Sequence, residues 1–329
     1  MKIIQSHIIL FLFITSFSAY TQNLYHKKLL LMGSDFEITV VAQDNLRASK
    51  AINMAIDEIK RIEKMISSWD PKSETSKINR NAGIRPVKVS PELFQLIKRA
   101  KIISKITDGA FDISYASMDR IWKFDGSMKQ MPSKEEIKKS IEKVGYNNIL
   151  LDEQNSTVFL KLKGMKIGFG GIGKGYAADK AKKLLISKGV KAGIINASGD
   201  MNTWGKQPGN KDWTVAITNP LNKKKAFGLV PVTNRAVVTS GNYEKYVVFN
   251  GIRYTHIINP KTGYPATGII SATIFAPSAE LADALATSVF VLGIEDGLNL
   301  INQLPKIDGI FIDEKGHIFN SQKIHINEK

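Results

Sequence analysis

The sequence predicts an α+β fold with mixed, largely antiparallel sheets packed against helices. Helical and strand-like patterns alternate without a strict strand–helix–strand repeat, and most predicted elements of the carboxyl-terminal half are short strands. No Gly/Ser-rich or Pro-rich linker divides the 329 residues. Cysteine is absent, which excludes disulfides and thiolate catalysis. We therefore predict one large domain over residues 22–329.

The amino terminus has the layout of a secretory signal. Lys2 precedes an apolar run at 8–14 and a small-residue stretch at 16–19. The apolar run is about half the ~20 residues that a membrane-spanning helix needs. We expect residues 1–21 to be a signal peptide and the protein to be exported to the periplasm. An uncleaved signal that anchors the protein to the inner membrane is the alternative.

The net charge is +16, from 46 basic and 30 acidic residues, but the basic residues do not form a pattern typical of nucleic-acid-binding proteins. The lysines are scattered along predicted helices and loops, and no aromatic-basic module of the RNA- or DNA-binding kinds occurs. This pattern indicates a solvated surface or an affinity for anionic partners, and no nucleic-acid partner.

One strand and one long helix are predicted first along the chain. Phe36, Ile38 and Val40 alternate with more polar neighbours, as in a half-buried strand. An apolar stripe at intervals of four, three and four residues then predicts a helix that ends near Asp70-Pro71. The stripe consists of Ala55, Ile59, Ile62 and Ile66.

Two further helices are predicted from their capping residues. Ser90 fits an N-cap and Pro91 the first helical position, before a buried face from Leu93 to Ile103. Ser133 and Glu136 form a capping box, and the helix that follows is expected to continue to Gly145. Predicted strands follow at 149–151 and 158–162. In the carboxyl-terminal half, strands are predicted at 193–196, 213–217, 236–239, 246–249 and 269–276, and helices at about 175–188 and 278–292.

The densest glycine segment, Gly168 to Gly175, matches two nucleotide-binding patterns incompletely. It contains G-x-G-x-x-G after a possible strand at 165–167, but the acid expected about 20 residues on is missing, since Asp200 comes too late and in a turn. It also contains G-x-x-x-x-G-K, but Gly175 stands where a P-loop needs Ser or Thr. A glycine loop before a helix still favours close approach of backbone N–H groups to an anion. A tight turn with no ligand is the alternative.

Two other segments carry candidate chemistry. Asp283 and Thr287 are four residues apart in an alanine-rich helix, so their Cβ atoms should lie about 5–6 Å apart and could share a hard cation. His256 precedes a Pro/Gly turn, and three of the other four histidines lie near the ends of the mature chain. His256 is therefore the best candidate for acid–base work near neutral pH, although a lone His is more often structural.

Eight segments follow one another along nearly the whole mature chain: Met32-Gly-Ser34, Ser67 to Glu74 with Ile78-Asn79, Gly109 to Asp112, Gly168 to Gly175, Ser198-Gly-Asp200, Thr239-Ser-Gly241, His256 to Gly263 and Asp283 to Thr287. In this order they resemble the motifs of the ApbE family, the FAD:protein FMN transferases. Trp69 stands where that family usually has Tyr, and Gly168 where many members have Asp. Both substitutions leave the predicted metal site and base in place.

The resemblance implies an ApbE-like, T-fold-related architecture and Mg²⁺-dependent transfer of FMN from FAD to a Thr or Ser hydroxyl. A phosphoester would form and AMP would leave. The implied acceptor is an exported flavoprotein, such as a subunit of a membrane redox complex. His256 is the first candidate for the base and Asp112 the second. The resemblance implies FAD contacts at Met32, Trp69, Ala110, Phe111, Asp112, Gly168, Lys174 and Ile257, and metal ligands from Asp283, Thr287 and the carbonyl of Gly171.

Two other functions remain open from the sequence. If water replaced the acceptor hydroxyl, the protein would be an FAD pyrophosphatase that releases FMN and AMP. If no reaction followed binding, it would be an exported flavin-binding protein. Both alternatives use the same predicted flavin site, so residue patterns do not separate them from the transferase.

Overall fold

A computed structural model describes residues 22–218, 226–241, 246–322 and 324, and the predicted signal segment lies outside them. The described residues contain seven α-helices and fifteen β-strands. The helices are α1 Asn45–Ile66, α2 Glu74–Arg80, α3 Pro91–Ile106, α4 Lys134–Ser140, α5 Gly173–Ser187, α6 Ala279–Leu292 and α7 Ile294–Gln303. The strands are β1 Asn23–Leu31, β2 Ser34–Ala42, β3 Val87–Lys88, β4 Ile149–Asp152, β5 Thr157–Leu160, β6 Gly193–Ala197, β7 Asp200–Trp204, β8 Thr214–Thr218, β9 Ala226–Pro231, β10 Ala236–Gly241, β11 Tyr246–Phe249, β12 Ile252–Thr255, β13 Ile269–Ala276, β14 Asp308–Asp313 and β15 Ile318–Asn320.

An eight-stranded sheet forms the centre of the fold, in the order β1-β2-β6-β7-β10-β13-β14-β15. Each neighbouring pair in it is antiparallel. Three smaller sheets, β3-β5-β4, β8-β9 and β11-β12, are also antiparallel. The α+β prediction with largely antiparallel sheets is confirmed.

The central sheet is covered on both faces. Helices α1, α5 and α6 pack together on one face, and the β8–β9 hairpin covers part of the other. Adjacent residues of a strand therefore enter different cores: Val40 joins the helical side and Val41 the hairpin side. All eight residues of β13 are buried. A strand covered on both faces carries a continuous apolar run rather than an alternation, as β13 does.

Most of the predicted helices begin where their capping residues placed them. The Ser90 hydroxyl accepts a hydrogen bond from the Leu93 N–H, and the capping box of Ser133 and Glu136 is present in both directions. The helix expected to reach Gly145 was predicted too long. It ends at Ser140, because the chain then makes a turn in which the Val144 N–H donates to the carbonyl of Ile141.

Two helices were not predicted, and one possible strand is absent. Helix α2 is only two turns long, and α7 has an amphipathic pattern that the sequence analysis did not use. The segment at 165–167 belongs to no described strand. Side chains satisfy its backbone instead: Asn79 bonds both the N–H and the carbonyl of Ile167, and Ser117 does the same for Lys166.

Within the described part of the chain, no helix combines the length and apolar character needed to cross a membrane.

Candidate active site

A cavity of about 610 Å³ lies where the start of α5 and the middle of α6 meet the β6–β7 turn and the segment after β12. It brings together nine of the twelve residues singled out from the sequence. They are Ala110, Phe111, Asp112, Gly171, Lys174, His256, Ile257, Asp283 and Thr287.

Asp283 and Thr287 both face this cavity from α6, as their spacing of four predicts. The Asp283 side chain is buried, and its Oδ2 accepts a hydrogen bond of 3.2 Å from the N–H of Gly175 in the first turn of α5. Burial raises the pKa of Asp283 well above its ordinary value, and the nearby Asp200 raises it further. The positive charge that the protein places near this carboxylate therefore does not offset the cost of burying its ionised form.

Asp200 and Lys174 form an ion pair beside Asp283. The Lys174 Nζ lies 2.5 Å from Oδ2 of Asp200, which is only 2% exposed. Burial lowers the pKa of Lys174, but the charges of Asp200 and Asp283 outweigh burial and raise the pKa overall. Burial also raises the pKa of Asp200. In the sequence Asp200 was rejected as a dinucleotide-binding acid and quoted in one segment of the family resemblance, but it was given no role in the site; its carboxylate lines the cavity.

The donor set at this wall fits a hard cation. Two buried carboxylates face one ammonium group, so the wall carries an excess of negative charge. A Cβ atom added to Gly171 would lie 3.0 Å from Oγ1 of Thr287. The backbone of the glycine loop is therefore close to that hydroxyl. Within the described residues no three His, Asp or Glu side chains converge as a metal cluster. A cation here would need hydroxyl, carbonyl, water or phosphate oxygens as further ligands.

The glycines of the loop serve close packing rather than an unusual backbone. None of those from Gly168 to Gly175 has a positive φ. A Cβ at Gly170 would lie 2.3 Å from the hydroxyl of Tyr115, and one at Gly175 would lie 2.2 Å from the carbonyl oxygen of Ala279. Any larger residue at Gly175 would separate α5 from α6 and disturb the site.

The expected cradle of loop N–H groups is smaller than predicted. The N–H of Gly168 donates to the Ile113 carbonyl, and that of Gly170 to the Tyr115 hydroxyl. Gly175 donates to Asp283. These three donors therefore bond within the protein. The positive charge available to an anion at the site comes more from Lys174 than the glycine pattern indicates.

Asp112 lines the cavity but is held by backbone donors. Its Oδ1 accepts from the Ser114 N–H and its Oδ2 from the Tyr146 N–H, both at 2.7 Å. Burial raises its pKa. With one backbone bond on each oxygen, the carboxylate fixes the turn at Ile113–Ser117 against the segment at Tyr146. This geometry favours a structural role over that of a base.

A second cavity of about 950 Å³ adjoins the first, and His256 lies on the boundary between them. His256 follows β12 directly, is exposed, and lines both cavities together with Tyr115 and Ile258. Trp69 lines only the second cavity and is 76% exposed. The Arg120 guanidinium lies 4.6 Å from its ring centroid, a cation–π distance.

Met32 and Gly168 line neither cavity. Met32 and Gly33, both with positive φ, form the two-residue turn between β1 and β2, and Met32 packs against the core beside Gly173. Gly168 is buried, and a Cβ there would lie 3.0 Å from Cβ of Ala116. The structure thus places both residues behind the cavity wall.

Several wall residues were given no role from the sequence. Tyr115 lies on both cavities, and a signal for it was available, since it is three residues after the Gly109–Asp112 segment. The others, apart from Asp200, belong to four quoted segments and are Gly170, Ser198, Thr239, Ser240, Gly241, Ile258 and Pro260.

Comparison with known proteins finds similarity over all segments that build the first cavity. A model of the ApbE family matches residues 32–311. The FAD:protein FMN transferase of Klebsiella pneumoniae (strain 342) is 31% identical over 301 residues, 91% of this chain and 92% of that protein. That of Treponema pallidum (strain Nichols) is 30% identical over 308 residues, 88% and 84% respectively. The crystal structure of the ApbE protein from Thermotoga maritima has a TM-score of 0.81 at 34% identity and covers 91% of this chain and 97% of that one.

Proposed function

Because this chain belongs to the ApbE family, we propose that it is an FAD:protein FMN transferase that uses Mg²⁺ and modifies a Thr or Ser hydroxyl. The observation that carries the proposal is the wall formed by Lys174, Asp200 and Asp283. The ammonium group of Lys174 can bind a phosphate, and the two carboxylates, which outnumber it, can bind a cation. These groups lie on one side of the first cavity, which adjoins the second. Pyrophosphate cleavage requires these two kinds of charge.

The proposed reaction breaks the phosphoanhydride bond of FAD and forms a phosphoester bond to the acceptor. The acceptor hydroxyl oxygen attacks the FMN phosphorus of FAD, and the bond from that phosphorus to the oxygen bridging to AMP breaks. AMP leaves with the bridging oxygen, and the hydroxyl proton passes to a base. Mg²⁺ bound by Asp283, Thr287 and the Gly171 carbonyl would offset the charge of the pyrophosphate. Lys174 holds a phosphate oxygen at the same wall.

His256 is the proposed base. It is exposed on the boundary of both cavities, where a protein hydroxyl can approach from solvent. Asp112 is buried and already accepts two backbone hydrogen bonds, so the structure favours His256 over it.

The second cavity is the proposed flavin site. Trp69 offers an exposed indole for stacking, and Trp122 and Phe124 supply further apolar surface. A cavity of about 950 Å³ lies within the usual size range of ligand pockets. The isoalloxazine would occupy it while the pyrophosphate extends into the first cavity. The acceptor is an exported flavoprotein, such as a subunit of a membrane redox complex.

Replacing Asp283 tests the proposal most directly. We expect Asp283→Ala to reduce FMN transfer about 10²–10³-fold at ordinary Mg²⁺, because the pyrophosphate loses its main counter-charge. Folding should survive, since the substitution removes a buried carboxylate from an alanine-rich helix. Thr287→Ala should cost less and be rescued by added Mg²⁺ or Mn²⁺, because water can replace a hydroxyl ligand. Thermal melts check folding, and Asp296→Ala, an exposed acid in α7, is the matched control.

The assay contains purified protein, FAD and Mg²⁺, with and without an acceptor that carries a Thr. Flavin fluorescence linked to the acceptor supports transfer. Release of FMN and AMP without linkage would indicate a pyrophosphatase, and unchanged FAD a flavin-binding protein. Undiminished transfer by folded Asp283→Ala, or by the wild type in excess EDTA, would exclude the proposed metal site.

A further inference from the structure

Asp179 lies on α5, outside the proposed active site, and contacts two other elements. Its Oδ1 accepts a hydrogen bond of 2.8 Å from the N–H of Ala279, and its Oδ2 one of 2.9 Å from the N–H of Glu280. The side-chain amide of Asn202 in β7 also donates to Oδ1. A single carboxylate thus connects α5, the start of α6 and β7.

These three elements carry the charged wall of the first cavity. Lys174 is in the first turn of α5, Asp200 begins β7, and Asp283 is in α6. Asn202 is two residues after Asp200 and therefore on the same face of its strand. Asp283 is one turn after Ala279 on α6. The contacts of Asp179 therefore lie one helical turn from Asp283 and two residues along the strand from Asp200.

Capping alone does not explain this carboxylate. Helix α6 already has an N-cap, because the Ser278 hydroxyl accepts from the Leu281 N–H. Asp179 is additional, comes from a different helix, and lies close to the acidic Glu280. Burial raises the pKa of Asp179 to about 6, so ionising it in this position carries a cost. A half-buried acid beside a helix that already has a cap indicates a further role.

We propose that Asp179 is a positioning residue, which sets the spacing of Lys174, Asp200 and Asp283 and thereby the affinity of the site for its divalent cation. The inference rests on the proposed function, because it assumes that a cation binds at Asp283. Asp179 itself does not line the cavity and touches neither the cation nor the substrate. Groups that orient metal ligands by direct hydrogen bonds typically contribute 10–100-fold to metal affinity or activity, and we expect the lower end of that range for the indirect contacts of Asp179.

Asp179→Asn and Ser278→Ala form a matched pair of variants. The amide that replaces the Asp179 carboxylate presents one oxygen to two backbone donors, so one contact between α5 and α6 is lost. Ser278→Ala removes the ordinary cap of the same helix and leaves the three-element connection intact. Thermal melts of the metal-free proteins would measure the stability cost of each change.

The main readout is binding of Mn²⁺ alone, by calorimetry and by the loss of the free-ion spin-resonance signal. We expect Asp179→Asn to weaken Mn²⁺ binding by about 10-fold or more, and Ser278→Ala by no more than about 2-fold at similar stability. In transfer assays Asp179→Asn should raise the Mg²⁺ concentration needed for half-maximal rate more than it lowers the rate at saturating Mg²⁺.

Wild-type Mn²⁺ affinity in Asp179→Asn, or equal weakening in both variants, would overturn the inference and leave the proposed function intact. Failure of the wild type to bind Mn²⁺ or to transfer FMN would instead overturn the proposed function, and the inference with it. If Asp179→Asn does not fold, Asn202→Ala removes the contact of Asp179 to β7, together with the hydrogen bond that Lys182 donates to the Asn202 side chain. Unchanged Mn²⁺ affinity in that variant would likewise overturn the inference.

Discussion

At the scale of single residues, His256 has the sharpest expected effect on chemistry. His256→Ala should slow transfer by roughly 10²–10⁴-fold while FAD still binds, because a general base acts on the attacking hydroxyl and not on the flavin. Single-turnover rates and FAD titrations separate the two quantities. His26→Ala, an exposed histidine on β1, is the control and should change neither.

Equal losses of rate and FAD affinity in His256→Ala would assign this residue to flavin positioning. Its place on the boundary of both cavities makes the distinction measurable, since the proposed flavin site and the proposed approach of the acceptor both border it.

Residue patterns predicted those parts of the site whose residues belong to a single element. The spacing of four placed Asp283 and Thr287 on one wall, because helix geometry alone determines their relative direction. Asp200 could not be assigned in this way. Its role depends on an ion pair with Lys174 in another element, and no local spacing encodes that pair. The loop glycines were interpreted as an anion cradle, whereas contacts from Tyr115 and Ala279 explain two of them.

At the scale of elements, Glu92 of α3 holds α1 and α5 together. Its carboxylate accepts hydrogen bonds of 2.7 Å from Arg61 of α1 and from the Tyr176 hydroxyl of α5, and pairs with Lys180. Burial raises the pKa of Glu92, but these partners outweigh burial and lower it to about 2, below the ordinary 4.5. Since the folded state has the lower pKa, the stabilisation is present above pH 4.5 and is lost as the pH falls towards 2.

Glu92→Gln should therefore lower the free energy of unfolding by roughly 1–3 kcal/mol at pH 7, and the deficit should shrink between pH 4.5 and 2. Urea unfolding at several pH values measures both effects. The control is Glu153→Gln, which breaks an exposed pair with Lys98 and should cost less than about 1 kcal/mol. A deficit that does not depend on pH would mean that Glu92 acts through packing rather than charge.

Elements with strong local signals were predicted well, and those without them were not. Strand β13 was predicted with its observed bounds because an eight-residue apolar run permits few alternatives. The segment at 165–167 alternates two buried apolar residues with an exposed lysine, as in a short strand, but Asn79 and Ser117 take the hydrogen bonds that a neighbouring strand would need. That competition comes from residues distant in sequence, so periodicity does not reveal it.

At the scale of the whole molecule, the amino-terminal segment predicts export. We expect the mature protein to begin near Gln22 and to fractionate with the periplasm, and amino-terminal sequencing would show this. Replacing Leu10 and Leu12 with Arg should retain the protein in the cytoplasm, because charges interrupt the apolar run that a signal needs. A cytoplasmic wild-type protein that begins at Met1 would contradict the prediction.

The order of the strands in the central sheet has a consequence for folding kinetics. Strand β2 pairs with β6, and β10 with β13, so long intervening segments must be enclosed before these ladders close. High contact order of this kind slows folding. A chain that has not yet received β13 would expose one edge of β10 as a template for aggregation. The groups of the site come from α5, β7 and α6, so competence for catalysis should appear only at the end of folding, after the last of these elements has joined the sheet.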